Sequence, residues 1–196
     1  MDTAGDTSDL GPAVWETKSG WVALGVTELV AGFLAFLVPG ISSVPTPALV
    51  ALLLGLCGIA RLAHAYELRH QARSFGELLL GLLYLAAAGA IAARPDIGLP
   101  DFTATVGAWC LAVGLMGAVT AARAPRLPSW GWMFGTSLGR AVLGGLLLVG
   151  WAEHALVTVA LVTATTLLLG GVGTFIVGTG MRHRADQVAV TERGQS

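Results

Sequence analysis

The stretch GVTELVAGFLAFLVPG, residues 25–40, decides how the chain is read. It is an apolar run closed by a Pro-Gly pair and interrupted by a single carboxylate, Glu28. Proline cannot donate to a continuing helical ladder, so Pro39 marks a helix end, as Pro95 and Pro125 do further on. A helix of about 20 apolar residues matches the roughly 30 Å of hydrocarbon in a bilayer. Working outward from this run, membrane spans are expected at residues 19–38, 47–66, 75–93, 102–122, 132–150 and 156–180. The segments between them are short, so successive helices should be antiparallel neighbours.

Composition agrees with that reading. The 196 residues are 55% hydrophobic and 12% charged, where soluble domains carry about 25% charged residues. Eleven Lys and Arg against 12 Asp and Glu leave no concentrated basic surface for a nucleic acid. The Ala/Leu/Val-rich body with 27 glycines suits helices better than the alternating strands of a membrane barrel. Cys57 and Cys110 fall inside apolar runs, without metal-ligand or CxxC spacing, and read as packing residues. The polar, acidic start lacks the basic and apolar regions of a signal peptide, so the first helix is expected to persist.

Lys18, Arg69, Arg73, Arg123, Arg126, Arg182, Arg184 and Arg193 fall on one side of a six-span arrangement, with Arg94 alone flanking the other. The positive-inside rule then gives a multi-pass protein with cytoplasmic N- and C-termini. Trp15, Trp21, Trp130, Trp132 and Trp151 sit near span ends as interfacial anchors, whereas Trp109 lies deep in the fourth span.

The sequence also repeats. A shift that carries Gly20 to Gly76 also carries Gly25 to Gly81, Pro39 to Pro95 and Gly58 to Gly114. A second shift carries Gly76 to Gly135, Gly114 to Gly173 and Arg123 to Arg182. The expected fold is therefore all-α and integral to the membrane: six transmembrane helices as three tandem helical hairpins, a parallel repeat compatible with a pseudo-threefold bundle. The expected organisation is an N-terminal tail over 1–18, a six-helix domain over 19–184 with repeats at about 19–73, 74–129 and 130–184, and a C-terminal tail over 185–196. Residues 1–7 and those after 184 read as unstructured. Spaced Gly and Ala should let the helix backbones approach closely, which matters in lipid because helix contact brings no hydrophobic gain there.

Three units of helix, turn and helix carry GIARLAHAYELR, GLMGAVTAAR and GTFIVGTGMR before a basic loop, and SWGW opens the third hairpin. This pattern, over roughly residues 15–184, resembles the HdeD family of bacterial inner-membrane proteins, which carry the uncharacterised DUF308 domain. The resemblance implies a role in acid resistance and implies no enzymatic activity and no cofactor. The third unit departs from the pattern: its outer turn WAEHA lacks proline, and Arg140 takes the place of Gly25 and Gly81.

Charges inside the spans are the candidate site. Glu28 and Arg140 lie roughly 12 to 14 Å from the tail side at the helical rise of about 1.5 Å per residue. Glu28 maps to Leu143 in the third unit, on the same helix face as Arg140, so a Glu28–Arg140 ion pair across the bundle is the expected arrangement. Arg61 competes for Glu28, or else snorkels to the headgroups. An unpaired charge at mid-membrane costs about 2.5 to 3.5 kcal/mol on insertion scales, so pairing is favoured. The cluster Glu28, Arg140 and Arg61 reads as a structural ion pair fixing hairpin register, with a proton- or ion-responsive site as the sharper alternative. His64 shares a face with Arg61 and Glu67; with Glu153 and His154 in the last outer turn, it is the candidate for sensing pH. Glu77, at the start of the third span, reads as a residue favoured by its own helix N-terminus.

No HExxH, GxSxG or phosphate-loop pattern is present, and no metal site is expected. Two functions compete: a non-enzymatic membrane protein of the acid-resistance type, or a small proton- or solute-conducting transporter using Glu28 and Arg140. The partners expected are the lipid bilayer and either a second copy or another membrane protein.

Overall fold

The computed structural model describes residues 11–37, 46–69, 74–94, 96–123, 130–150 and 156–193. These residues form six helices: α1 (Gly11–Leu37), α2 (Thr46–Glu67), α3 (Ser74–Ala92), α4 (Leu99–Ala122), α5 (Trp130–Leu148) and α6 (Leu156–Arg193). Five of them, all except α5, are long and apolar enough to cross a membrane. Length and composition thus support five of the six expected spans, and α5 falls short of that measure. Arg140 at its centre, together with the tryptophans and glycines of WGWMFGTSLGR, dilutes the leucines that follow.

Helix boundaries follow the sequence at most ends. Helices α1, α3 and α4 stop at Leu37, Ala92 and Ala122, just before Pro39, Pro95 and Pro125, which lie outside the described residues. Helix α4 starts after an extended Gly98 with Pro100 in its first turn, where a missing amide hydrogen costs nothing. Gly150, after α5, has a φ of 86°, a conformation that favours glycine. Two ends differ from expectation. Helix α1 begins at Gly11, not residue 19, and α6 continues to Arg193 beyond the expected end at 180. No proline or glycine interrupts MRHRADQVAVTER, so nothing local halts the last helix.

Successive helices are neighbours, but the closest pairings are α1 with α6, α2 with α3, and α4 with α5. The tight packing thus falls between the expected hairpins, while α1·α2, α3·α4 and α5·α6 touch more loosely. Glycine makes these approaches close. A Cβ on Gly25 would lie 2.8 Å from the Phe175 nitrogen, and one on Gly171 would lie 2.9 Å from the Gly25 carbonyl oxygen. In the same way Gly81 faces the Gly58 carbonyl, and Gly144 faces that of Gly107. Each pair is antiparallel, which puts the start of α1 and the end of α6 together at what we call the tail end.

Side chains sort by face. Leu54, Cys57, Tyr84, Phe102, Val106, Cys110, Val113 and Leu167 are buried in one continuous core, and Trp21, Leu68 and Val177 form a smaller cluster toward the tail end. Val30, Phe33, Leu52, Leu56, Ile59 and Val142 are exposed around the outside. Such an apolar perimeter is unusual for a soluble monomer and natural against lipid. The molecule is thus a multi-pass membrane protein in a lipid bilayer.

Candidate functional site

Each inward-facing charge sits on its helix's buried stripe at three- and four-residue spacing. On α1 the stripe is Leu24, Glu28, Ala31 and Ala35; on α2 it is Val50, Leu54, Cys57, Arg61 and His64. Helix α3 contributes Glu77, Leu80, Tyr84 and Ala88, and α5 contributes Ser137, Arg140, Gly144 and Leu147. The helical period that buries leucine elsewhere here buries charge.

Glu28 is wholly inaccessible. Its Oε1 accepts from Arg61 Nε at 2.8 Å and also from Arg61 Nη2. The Tyr84 hydroxyl donates to the same oxygen at 3.2 Å. Arg61 Nη1 donates to Glu77 Oε2 at 2.8 Å, so one guanidinium joins carboxylates on α1 and α3. The Arg61 guanidinium also stands 5.3 Å from the Tyr84 ring centroid, and Trp109 meets Tyr84 edge-on at 4.9 Å. Arg61 is 4% exposed and does not snorkel.

The expected Glu28–Arg140 pairing is looser than the Arg61 pairing. Arg140 Nη2 stands 3.8 Å from Glu28 Oε2, and among the described residues neither atom has a hydrogen-bond partner. Arg140 is held instead through Nε, which donates to the Thr166 carbonyl at 2.9 Å. Its guanidinium occupies the space that a Cβ on Gly170 would fill. Thr163 and Thr165 donate to the carbonyls of Val159 and Leu161 one turn back, the usual use of threonine in lipid. Cys110 Sγ lies 3.4 Å from Thr166 Oγ1, and both cysteines are free.

His64 is buried apart from this network. Its ring meets Trp21 edge-on at 4.9 Å, and Nδ1 lies 3.5 Å from Glu67 Oε2, as their shared helix face implies. Glu153 and His154 lie outside the described residues. At the opposite end, Arg94 and Asp101 form an exposed pair at 3.8 Å, of the kind that contributes little.

Two members of the network were not anticipated from sequence. Glu77 occupies the first turn of α3, where a carboxylate looks sufficiently explained by the helix N-terminus. Tyr84 had a usable signal: the shift that carries Gly25 to Gly81 carries Glu28 to Tyr84, so the expected repeat would put both at one level. Removing the hydroxyl isolates its contribution. Tyr84→Phe is expected to lower stability by about 1.5 kcal/mol, the value of a hydrogen bond to a charged group, measurable by thermal denaturation of the detergent-solubilised protein.

A cavity of about 430 Å³ opens at the tail end and reaches the network. All six helices line it, with Trp21, Arg61, Glu77, Arg123, Arg140 and Val177 among the residues on its wall. Among the described residues, no three His, Cys, Asp or Glu side chains are grouped to hold a metal ion.

These features define an all-helical membrane protein with a charged centre. The family model for a short repeat of unknown function, DUF308, matches residues 23–93, from α1 through α3. Comparisons with curated proteins and with solved structures give no match.

Proposed function

We propose that the chain is a non-enzymatic, six-span protein of a bacterial inner membrane, acting in acid resistance like the HdeD family and holding its termini in the cytoplasm. In this reading three hairpins close a ring about a pseudo-threefold axis, and the buried charges lock it. The observation that carries it is the reach of the network: Arg61 on α2 holds Glu28 on α1 and Glu77 on α3, while Arg140 on α5 holds α6 and faces Glu28. All three units are thereby tied at one level. The alternation of tight and loose helix pairs supports the ring, and the DUF308 match supports the family reading. Arg69 and Arg123 follow α2 and α4 at the tail end, which supports the orientation.

The test is survival after acid shock. A strain lacking the gene should survive less well than its parent, and the wild-type gene should restore it. Equal survival of the two strains would overturn the acid-resistance role.

The conducting alternative draws support from the cavity that reaches Arg61 and Arg140. Beyond the network, however, Leu54, Ile91, Phe102, Val106, Leu147 and Val159 are buried and fill the far half of the bundle. Conduction would require that half to open. Acid-driven flux in proteoliposomes that disappears in Glu28→Gln would establish conduction in place of a purely structural role.

A further inference from the structure

The cavity has a chemistry of its own. Arg61, Arg123 and Arg140 line it, against Glu77 on the wall and Glu28 behind the floor, so positive charge is in excess among the described residues. Arg61 is spent on the two carboxylates. Arg140 is less fully engaged: it lines the cavity and donates through Nε to the Thr166 carbonyl, while its Nη2 is inaccessible and stands 3.8 Å from Glu28 Oε2. Its Nη1 is not closed off and makes no hydrogen bond among the described residues, so an anionic oxygen arriving through the cavity meets a charged donor there. Above it the wall turns apolar, with Trp21, Leu80, Met133 and Val177. A cavity of this size lies within the range that binds small organic molecules.

We propose that this cavity binds a small monocarboxylate with an apolar body. Its carboxylate lies toward Arg140, its body lies against Trp21, Met133 and Val177, and Arg123 draws it in at the mouth. The excess charge suits a monoanion, whereas a dianion would meet Glu28 and Glu77 uncompensated. An inorganic anion would leave the apolar wall unused, and a cation would face Arg140. The ligand's source is either the aqueous phase, as a short-chain acid, or the bilayer, as a fatty acid; the recognising chemistry is the same. The proposal does not rest on the acid-resistance reading, so a negative survival experiment leaves it standing.

The test is titration of the full chain in detergent with hexanoate, hexanol and hexylammonium, followed by tryptophan fluorescence, with Trp21 in the wall as reporter. Palmitate exchange into nanodisc-held protein tests the bilayer source. Hexanoate should bind saturably, and hexanol about tenfold or more weakly, as loss of a charged hydrogen bond dictates. Arg140→Gln should weaken hexanoate to a similar degree. Gly76 lines the rim one turn from Leu80, and a Cβ there meets nothing within 4 Å, so Gly76→Leu should fold and block the cavity. Arg94→Gln, at the other end, should bind normally. Arg123→Gln, on an exposed side chain, tests the charge even if Arg140→Gln fails to fold. Saturable binding by either hexanoate or palmitate, lost in Gly76→Leu, supports the site. Equal binding of hexanoate and hexanol, absence of binding by both acids, or wild-type affinity in Gly76→Leu and Arg123→Gln overturns it.

Discussion

Arg61→Met is expected to cost about 3 to 5 kcal/mol of stability, because it leaves charge buried without its partner. Among the described residues, both Glu28 and Glu77 lose their closest cation, and Glu28 keeps only the Tyr84 hydroxyl at 3.2 Å and Arg140 at 3.8 Å. The cost comes from the abandoned carboxylates rather than from any intrinsic worth of the pair, so it should be recoverable. Replacing a buried ion pair by neutral groups of similar volume is often close to neutral. Arg61→Met with Glu28→Gln and Glu77→Gln should therefore regain most of the loss, and the double-mutant cycle should give a coupling of about 1 to 3 kcal/mol for Arg61 with Glu28. Arg140→Met breaks a charged hydrogen bond to a carbonyl and the looser ion pair with Glu28, and should cost about 1.5 to 3 kcal/mol. Thermal or denaturant unfolding in detergent ranks the two. If Arg140→Met proved the more damaging, the assignment of Arg61 as the central cation would fail.

The same comparison shows what sequence could and could not reveal. Helix positions were legible because a run of about 20 apolar residues has few alternatives to a membrane helix. The depth of Glu28 and Arg140 was legible too, since depth follows from counting along a helix of known rise. Which cation meets Glu28 was not. Depth fixes a coordinate along the bundle, whereas pairing depends on how each helix is rotated and on the reach of each side chain. Arg61 lies nearer the tail end than Glu28 along its own span, yet its length carries the guanidinium back to Glu28 while Nη1 still meets Glu77.

Helix partnership was hidden for a related reason. Short connections imply that consecutive helices are adjacent, and they are, but adjacency is not close packing. The glycines at 25, 81 and 144 say that some backbone comes near, without naming it. The structure names Gly171, Gly58 and Gly107, each on a helix outside the expected hairpin of its partner. Arg140 contributes to the α5 departure in two ways: standing where the expected repeat has glycine, it adds to the lower apolar character of that helix and brings a cation to the centre.

Gly114→Val should be among the most damaging changes away from the charges. A Cβ at Gly114 would overlap the backbone nitrogen and Cα of Ala141 and the carbonyl of Ser137. These are backbone atoms that no rotamer change can move, so α4 and α5 must separate. Overpacking costs about 1 to 3 kcal/mol and occasionally more. Even Gly114→Ala should lose about 2 kcal/mol after the gain of up to about 1 kcal/mol in helix propensity is deducted. The two extra methyls of valine should push the loss beyond about 3 kcal/mol, since the pair relies on contact packing rather than a hydrophobic gain. Gly89→Ala and Gly145→Ala are the controls: nothing lies within 4 Å of a Cβ at either position, so each should be neutral or slightly stabilising. Comparable damage from Gly89→Ala and Gly114→Ala in thermal unfolding would mean that the glycines act through backbone entropy rather than helix contact. The α4·α5 interface would then lose its claim to be one of the bundle's tight pairs.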